Sequence, residues 1–274
     1  MDRRLTPATP RAAHVSLRGK IKANSFTEGT PLLLSRPLTD LLAQPFGTRE
    51  RQLVLGEIFT VIDHDQNHAF GFAGKDGYCG WLPDDALTDS AAPTHWVAAP
   101  ATHLYPEPRV QATEIAALPM GARVHVLSVT DTWAQTGLGF LPTTHLRAIG
   151  DWATDPVAVA ETLLGSPYLW GGNSRSGIDC SGLVQLGFHA CGLPCPGDSD
   201  LQETLGYPAP NAELQRGDLL FWRGHVAMVT NADTLIHANG HSMSVAREPV
   251  SVSIARISAQ NGGPVIHHRR LQLG

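Results

Sequence analysis

A diverged internal repeat in the first half of the chain places the strongest constraint on its fold. Its two copies share three short apolar or β-branched segments in the same order, each beside a turn that contains Gly, Pro or Asp. This pattern is typical of strands in small all-β units. The matching segments are 39–45 with 102–108, 55–62 with 120–127, and 80–83 with 139–142. We therefore predict two β units, at about 31–91 and 92–150, after an irregular arm at 1–30. Two unrelated β modules remain the alternative.

The pattern changes from Asp151 onwards. Residues 156–164 are predicted to be helical, with Asp155 as cap and Pro156 at the first helical position. A second helix is expected to begin at Cys180, and three short strands should follow it. The strands are predicted at 218–222, 226–230 and 234–238. Helices followed by an antiparallel sheet indicate an α+β fold.

Cys180 is the candidate nucleophile. In the first turn of a helix, a thiol meets unpaired backbone N–H groups and the positive end of the peptide dipoles, which favour the thiolate. His225 begins one predicted strand and His237 lies on the next. Neighbouring strands lie about 5 Å apart, so a hydrogen bond between the two rings is expected. This order of residues indicates a cysteine hydrolase.

Composition narrows the choice of partners. The 274 residues carry a formal net charge of -5 and no basic run, which argues against nucleic acid or an acidic membrane surface. No segment has the length of a membrane span, and no secretory signal is visible, so we expect a cytoplasmic protein. A secreted or periplasmic protein trimmed of its leader is the alternative. The four cysteines are too few for a disulfide framework, and Cys191 with Cys195 is more typical of helix-end packing than of a metal site.

Five motifs in register carry a resemblance that covers about 150–245. They are Tyr168-Leu169-Trp170-Gly171-Gly172, Asp179-Cys180-Ser181-Gly182-Leu183, Arg216-Gly217-Asp218-Leu219, His225-Val226-Ala227-Met228-Val229 and Leu235-Ile236-His237-Ala238. Together they resemble the NlpC-type cysteine peptidases, and the two β units resemble bacterial SH3-like barrels. The resemblance implies a papain-like catalytic domain at 151–274. The region beyond about 245 carries no family motif.

The resemblance also implies roles for four residues. Cys180 is the nucleophile, His225 the general base and acid, and His237 the residue that orients His225. The Tyr168 hydroxyl, with the backbone N–H of Cys180, is expected to bind the oxyanion. No metal or organic cofactor is required. An ordinary packing role remains the alternative for Tyr168, and a buried core histidine for His237.

The layout is similar to that of γ-D-glutamyl-L-diamino acid endopeptidases, which act on murein peptides with a free N-terminal L-Ala. A carboxylate is expected beside that ammonium, because an unpaired buried charge is unfavourable. Asp179 and Glu57 are the candidates for this carboxylate. Glu57 belongs to the first β unit, and the equivalent position of the second unit is Ala122, so only the first unit has an acid there. The alternative for Asp179 is a helix cap alone, and the alternative for Glu57 is a solvated turn charge. The remaining candidates for substrate binding are Ser181, Ser199, Trp170 and Tyr78.

Two other functions remain open at this point. One is a wall-binding protein with an inert peptidase-like domain, which the intact set of Cys180, His225 and His237 disfavours. The other is an amidase or acyltransferase on the same scaffold. Asp179 and Glu57 suit an ammonium-bearing peptide and would serve no lipid chain. The oligomeric state, and the choice between diaminopimelate and lysine, are open.

Overall fold

The computed structural model describes residues 1–210 and 212–271. The chain divides into two compact units, Met1–Asp151 and Trp152–Gly274. The first unit consists of short strands and single 3-10 turns, and the second combines helices with one larger sheet. The helices among the described residues are all too short or too polar to cross a bilayer. The α+β architecture of the second unit, preceded in sequence by β modules, agrees with the fold class predicted from the sequence.

The first β module, residues 30–88, is a seven-stranded antiparallel sheet around its own apolar core. Leu41, Phe59 and Leu82 are fully buried in that core. The strand order is β5-β4-β8-β7-β6-β3-β9. The strands are β3 (Thr30–Leu34), β4 (Leu38–Leu42), β5 (Arg49–Val54), β6 (Ile58–Asp65), β7 (His68–Ala73), β8 (Cys79–Pro83) and β9 (Leu87–Thr88).

The second β module, residues 95–148, has a separate core that includes Val97, Ala122 and Leu141. Its strands form three small sheets, with the orders β13-β10-β17, β11-β12 and β14-β15-β16. They are β10 (His95–Val97), β11 (Ala101–Leu104), β12 (Ala116–Pro119), β13 (Arg123–Val124), β14 (Val126–Val129), β15 (Trp133–Thr136), β16 (Gly139–Pro142) and β17 (Leu146–Ala148).

The internal repeat corresponds to equivalent elements of the two modules. Strand β8 in the first module and β16 in the second are each followed by one 3-10 turn, Asp84–Ala86 or Thr143–His145, and then by a short strand. Leu82 and Leu141 take the same place in the repeated segment, and both are fully buried. This repeated leucine is therefore a core position in both modules.

The N-terminal arm has more structure than expected. It contains the 3-10 turns Arg3–Leu5 and Val15–Leu17, and the parallel pair β1 (Ala12–His14) and β2 (Ser25–Thr27). Arg11 forms an ion pair with Asp63 of β6, and Arg3 forms one with Glu50 of β5. Ala13 is completely buried. Polar contacts and single turns attach the arm to the first module. Such contacts require no regular spacing of apolar residues, so the sequence of the arm shows no periodic pattern.

The second unit contains the candidate site. Its six-stranded antiparallel sheet has the order β20-β25-β21-β22-β23-β24. The strands are β20 (Tyr207–Pro208), β21 (Leu219–Trp222), β22 (His225–Asn231), β23 (Thr234–Asn239), β24 (Ser244–Pro249) and β25 (His267–Arg270), and a small hairpin joins β18 (Asn173–Ser174) to β19 (Gly177–Ile178). The helices are α1 (Pro156–Glu161), α2 (Cys180–Ala190), α3 (Ser199–Gln202) and α4 (Val250–Ile257), and a π-helical turn, Ser258–Gly262, follows α4.

Local sequence signals account for most of these elements. Asp155 caps α1 by accepting from Val157 N–H at 2.9 Å, and Pro156 stands at the first helical position as predicted. The helix is shorter than predicted, ending at Glu161. The three predicted strands are β21, β22 and β23, each within one residue of its expected bounds. Strand β24, α4 and β25 follow in the region where no motif was recognised.

Candidate active site

Asp179 fixes the start of α2 and with it the position of Cys180. Its Oδ1 accepts hydrogen bonds from Gly182 N–H at 2.6 Å and from the Ser181 hydroxyl at 2.9 Å. Its Oδ2 accepts from Gly171 N–H at 2.8 Å. The capping role is therefore present, and the same carboxylate also ties the preceding loop to the helix. Cys180 consequently occupies the first turn, as predicted.

Glycines allow this loop to lie against the helix. A Cβ on Gly182 would stand 2.6 Å from the carbonyl oxygen of Gly172, and one on Gly172 would stand 2.5 Å from that of Gly177. Both distances are shorter than any normal contact, so side chains at these positions would force the loop away. Gly171 adopts φ +70°, a conformation that other residues rarely take.

The Cys180 thiol lies near the start of β22, close enough for the backbone N–H of Val226 to lower its pKa. The residue is buried, with 8% of its surface exposed. Burial is the largest influence on its pKa and, together with the negative charge of Asp179, raises it to about 12. The N–H groups of Val226, Ser181 and Cys180 itself lower the pKa, but by less. The backbone amides at the helix start therefore favour the thiolate, as expected, but burial and the Asp179 charge outweigh them and favour the neutral thiol.

His225 and His237 are brought together as predicted. Nε2 of His225 lies 2.9 Å from Nδ1 of His237. Met228 of β22 stands opposite Ile236 of β23. Extending this antiparallel register puts Ala227 opposite His237, so the His225 ring reaches its partner along a diagonal on the same face. The His225 ring also packs against Trp222, with 5.7 Å between ring centroids.

The hydrogen-bonded chain continues to two residues that sequence reasoning missed. Nε2 of His237 lies 3.1 Å from Oε2 of Glu248, on the neighbouring strand β24. Arg256 of α4 donates from Nε to Oε1 of Glu248 at 2.9 Å and from Nη2 to Oε2 at 2.6 Å. The Arg-Glu-Pro sequence at 247–249 belongs to no recognised motif. Only the pairing of His237 with Ala246 shows that Glu248 shares a face with this histidine.

Burial also controls the protonation of the two histidines in this hydrogen-bonded row. It is the main reason that the pKa of His225 falls to about 3 and that of His237 to about 4. The negative charge of Glu248 acts against this fall at both rings. Arg256 lowers the pKa of Glu248 to about 2. Two neutral imidazoles therefore stand beside an ionised carboxylate at neutral pH.

Tyr168 lies close enough to Cys180 and Asp179 to sense their charges. Burial raises the pKa of its hydroxyl to about 12, and the negative charges of those two residues add to the effect. The phenol thus stays protonated and can donate a hydrogen bond. Its backbone N–H donates to Met243 O at 2.9 Å, which attaches the loop to the turn after β23.

The other residues predicted in this unit take different positions. The Ser181 hydroxyl is buried and donates to Asp179. Ser199 is half-buried and begins α3, whose Gln202 donates from Nε2 to Ser181 O at 2.9 Å. Trp170 is 63% exposed, on the loop that leads to α2. Their roles in substrate binding remain predictions.

Cys191 is the C-cap residue of α2, and Cys195 is buried beside the Gln202 amide. Both positions agree with the packing role expected of these two cysteines. Among residues 1–210 and 212–271, no group of three or more His, Cys, Asp or Glu side chains is placed to hold a metal ion.

Glu57 and Tyr78 lie in the first β module and make contacts within it. Glu57 is 6% exposed, so it is not the solvated turn charge that was the alternative. Its Oε1 pairs with Lys75 Nζ at 2.8 Å, and its Oε2 accepts from Val54 N–H at 3.0 Å. Tyr78 belongs to the module's apolar core, with the Arg51 guanidinium 5.7 Å from its ring centre. These contacts already give both residues a part in folding, and their proposed role in binding an amine remains a prediction.

Comparison with known proteins agrees with this arrangement. Residues 165–259 match the model of the NlpC/P60 family, and residues 41–87 match that of the bacterial dipeptidyl-peptidase SH3 domain. A γ-D-glutamyl-L-lysine dipeptidyl-peptidase of Bacillus cereus is 28% identical over 239 residues, which cover 74% of this chain and 71% of the relative. Dipeptidyl-peptidase 6 of Lysinibacillus sphaericus is 29% identical over 210 residues, covering 67% of this chain and 76% of the relative.

A solved structure shows the same fold. The crystal structure of an NlpC/P60 family protein from Bacillus cereus superimposes with a TM-score of 0.76 at 22% sequence identity. The match covers 88% of this chain and 99% of the other. The similarity of fold therefore includes residues of the β modules as well as residues of the second unit.

Proposed function

Because the chain is a cysteine peptidase of the NlpC/P60 family with a bacterial SH3 domain, we propose that it hydrolyses the γ-D-glutamyl-L-diamino acid bond of murein peptides. The substrate carries a free N-terminal L-Ala, and the products are L-Ala-D-Glu and the peptide's diamino acid portion. The observation that carries this proposal is the position of the Cys180 sulfur beside the Val226 N–H. The preceding residue is His225, whose ring is hydrogen-bonded to His237. The names of the two dipeptidyl-peptidase relatives support the choice of bond.

Cys180 is the proposed nucleophile and His225 its base. Nε2 of His225 is engaged by His237, so Nδ1 is the nitrogen that takes the thiol proton. As the proton moves, the sulfur forms a bond to the γ-carbonyl carbon of D-Glu, and the carbonyl oxygen becomes an oxyanion. The Cys180 backbone N–H and the protonated Tyr168 hydroxyl are the proposed donors to that oxyanion.

The second half of the reaction returns the site to its starting state. His225 gives its proton to the departing amine as the carbon–nitrogen bond breaks, leaving a thioester on Cys180. A water molecule then loses a proton to His225 and attacks the thioester carbonyl. The carbon–sulfur bond breaks, the sulfur recovers the proton, and the acid product leaves.

A cavity of about 320 Å³ beside His225 is the proposed place for the departing amino acid. Arg223 and His241 line it together with Arg256, whereas none of its lining residues is acidic. Arg256 is paired with Glu248, so the exposed Arg223 is the cation that remains for a substrate carboxylate. This charge suits an α-amino acid leaving group that carries its own carboxylate.

Asp179 is the proposed partner of the substrate ammonium. It is 7% exposed and accepts hydrogen bonds from neutral donors. These donors are two backbone N–H groups and one hydroxyl, and a buried carboxylate gains from a cation. Its position directly before Cys180 would place the N-terminal residue of the substrate next to the nucleophile.

The experiment compares L-Ala-γ-D-Glu-diamino acid with the same peptide acetylated at its N-terminus. We expect release of L-Ala-D-Glu from the free peptide and at least a tenfold lower kcat/KM for the acetylated one, on the order expected for an unpaired buried charge. Cys180→Ala should abolish both activities, and Cys191→Ala is the matched control. Equal turnover of the two peptides would remove the ammonium site, and turnover by Cys180→Ala would remove the mechanism.

A further inference from the structure

We propose that Glu248 is a positioning residue of the reaction: through His237, it holds His225 in the tautomer whose Nδ1 is free to accept the Cys180 proton. The inference rests on the proposed role of His225 as the base. It extends the catalytic chain to a strand and a helix that carry no recognised motif. Arg256 takes part by holding the Glu248 carboxylate in place.

The argument begins with the hydrogen-bonding capacity of Glu248. Arg256 donates to both of its oxygens, at 2.9 and 2.6 Å. An ionised carboxylate can only accept hydrogen bonds. Because Oε2 of Glu248 also lies 3.1 Å from His237, the His237 Nε2 must carry the hydrogen of that contact.

The tautomer of His237 then determines that of His225. A neutral imidazole with a hydrogen on Nε2 has a lone pair on Nδ1. Nδ1 of His237 faces Nε2 of His225 at 2.9 Å, so the hydrogen between them belongs to His225. The remaining nitrogen of His225, Nδ1, therefore carries a lone pair. Without an acceptor at Glu248, His237 could take the opposite tautomer and leave the hydrogen of His225 on the wrong nitrogen.

The fold keeps these groups in one line. His225, His237 and Glu248 lie on the adjacent strands β22, β23 and β24, and the strand register places each on the same face, displaced diagonally from the next. Long side chains can bridge such diagonal positions. Arg256 reaches the end of this line from α4, which packs on that face through Val250 and Ile257. The His237 side chain is fully buried, so water does not compete for its ring nitrogens.

The charge of Glu248 also favours the reaction. When Cys180 gives up its proton, His225 becomes an imidazolium in a buried place. The negative charge of Glu248 acts to raise the pKa of both rings, against the effect of burial. Removal of that charge should therefore make proton transfer from the thiol to His225 less favourable. It should also allow His237 and His225 to adopt the other tautomer.

The first test reads the tautomers directly in the wild-type protein. Long-range proton–nitrogen correlation spectra of protein labelled with ¹⁵N-histidine distinguish a hydrogen on Nε2 from one on Nδ1. At neutral pH we expect both His225 and His237 to carry it on Nε2. A hydrogen on Nδ1 of either ring would overturn the proposal, whether or not any variant folds. The measurement uses no substrate, so it is independent of the proposed peptidase specificity.

The second test uses Glu248→Gln, with Glu161→Gln as the matched control. Glu161 lies in the same unit and is likewise a carboxylate paired with arginine, here Arg216 and Arg247. A carboxamide has a single acceptor oxygen and cannot satisfy both Arg256 donors and His237. We expect alkylation of Cys180 by iodoacetamide at pH 7 to slow about tenfold in Glu248→Gln, with the difference shrinking at high pH, where the thiol ionises without a base.

Kinetics with the murein tripeptide complete the design. For Glu248→Gln we expect kcat to fall by roughly 10- to 100-fold with little change in KM, because an incorrectly oriented base affects the chemical step. Glu161→Gln should match the wild type in both assays. A folded Glu248→Gln protein with the wild-type alkylation profile and kcat would overturn the proposal. If Glu248→Gln slows alkylation as expected but the wild type does not cleave the tripeptide, only the proposed substrate is rejected.

Discussion

Lys75 and Glu57 form an ion pair of 2.8 Å inside the first β module, with side-chain exposures of 5% and 8%. Glu57 also accepts from Val54 N–H, so its carboxylate joins the turn before β6 to the end of β5. The sequence drew attention to Glu57 as a possible ligand for an amine. The structure shows a buried pair in which the acid already has a cation.

We expect Glu57→Gln to destabilise the protein by about 3 kcal/mol, since it leaves the Lys75 ammonium buried without its partner. Chemical denaturation measures the change. The double variant Glu57→Gln with Lys75→Met removes both charges and should recover most of the loss. If the double variant is no more stable than the single one, the pair is not the source of the effect. A fall of tenfold or more in kcat/KM in the double variant would support the additional role of Glu57 in substrate binding.

Gly182→Ala should be harmful although alanine is normally the better helix former. The added Cβ would lie 2.6 Å from Gly172 O, which is backbone and cannot move aside without the loop that leads to Cys180. We expect a loss of about 1–3 kcal/mol in stability and at least a tenfold fall in kcat. Gly137→Ala, where the new methyl group meets open space, is the control. Wild-type activity in Gly182→Ala would show that the close approach of loop and helix is dispensable.

Asp179→Asn should change two measurements in opposite directions. The Asp179 charge raises the pKa of the Cys180 thiol, so its removal should speed alkylation of Cys180 by iodoacetamide at a given pH. The same change should lower kcat/KM for the peptide with a free N-terminus, because the ammonium loses its proposed partner. Asparagine is an acceptable N-cap, so the helix should persist. Parallel changes in both rates would indicate a general disturbance of α2 instead.

The stability of the protein should fall as the pH is lowered below 6.5. His225 and His237 have pKa values of about 3 and about 4 in the folded chain, below their ordinary value of 6.5. Between pH 6.5 and about 4, the unfolded chain therefore binds protons that the folded chain does not, which favours unfolding. Thermal unfolding midpoints across this range measure the slope. His225→Asn should make it shallower, and an unchanged slope would mean that His225 is not held neutral by burial.

Much of the site was predictable from the sequence because it depends on local rules. Asp179 and Cys180 are adjacent, and an acid before an apolar helical run acts as its cap. Pro156 and the repeated glycine and proline turns mark helix and strand ends in the same way. His225 and His237 are close along the chain and lie on strands joined by a turn. Their meeting depends only on a hairpin register, which the structure confirms.

Other features were decided only by the tertiary structure. The depth at which the thiol is buried, and therefore its high pKa, depends on everything packed around α2. Glu248 and Arg256 reach His237 through a strand register and a helix position that no local pattern encodes. Lys75 and Glu57 meet because of the fold of the β module. Propensities, caps and turns act over a few residues and can be read along the chain, whereas burial and electrostatic partners arise between segments that become neighbours only after folding.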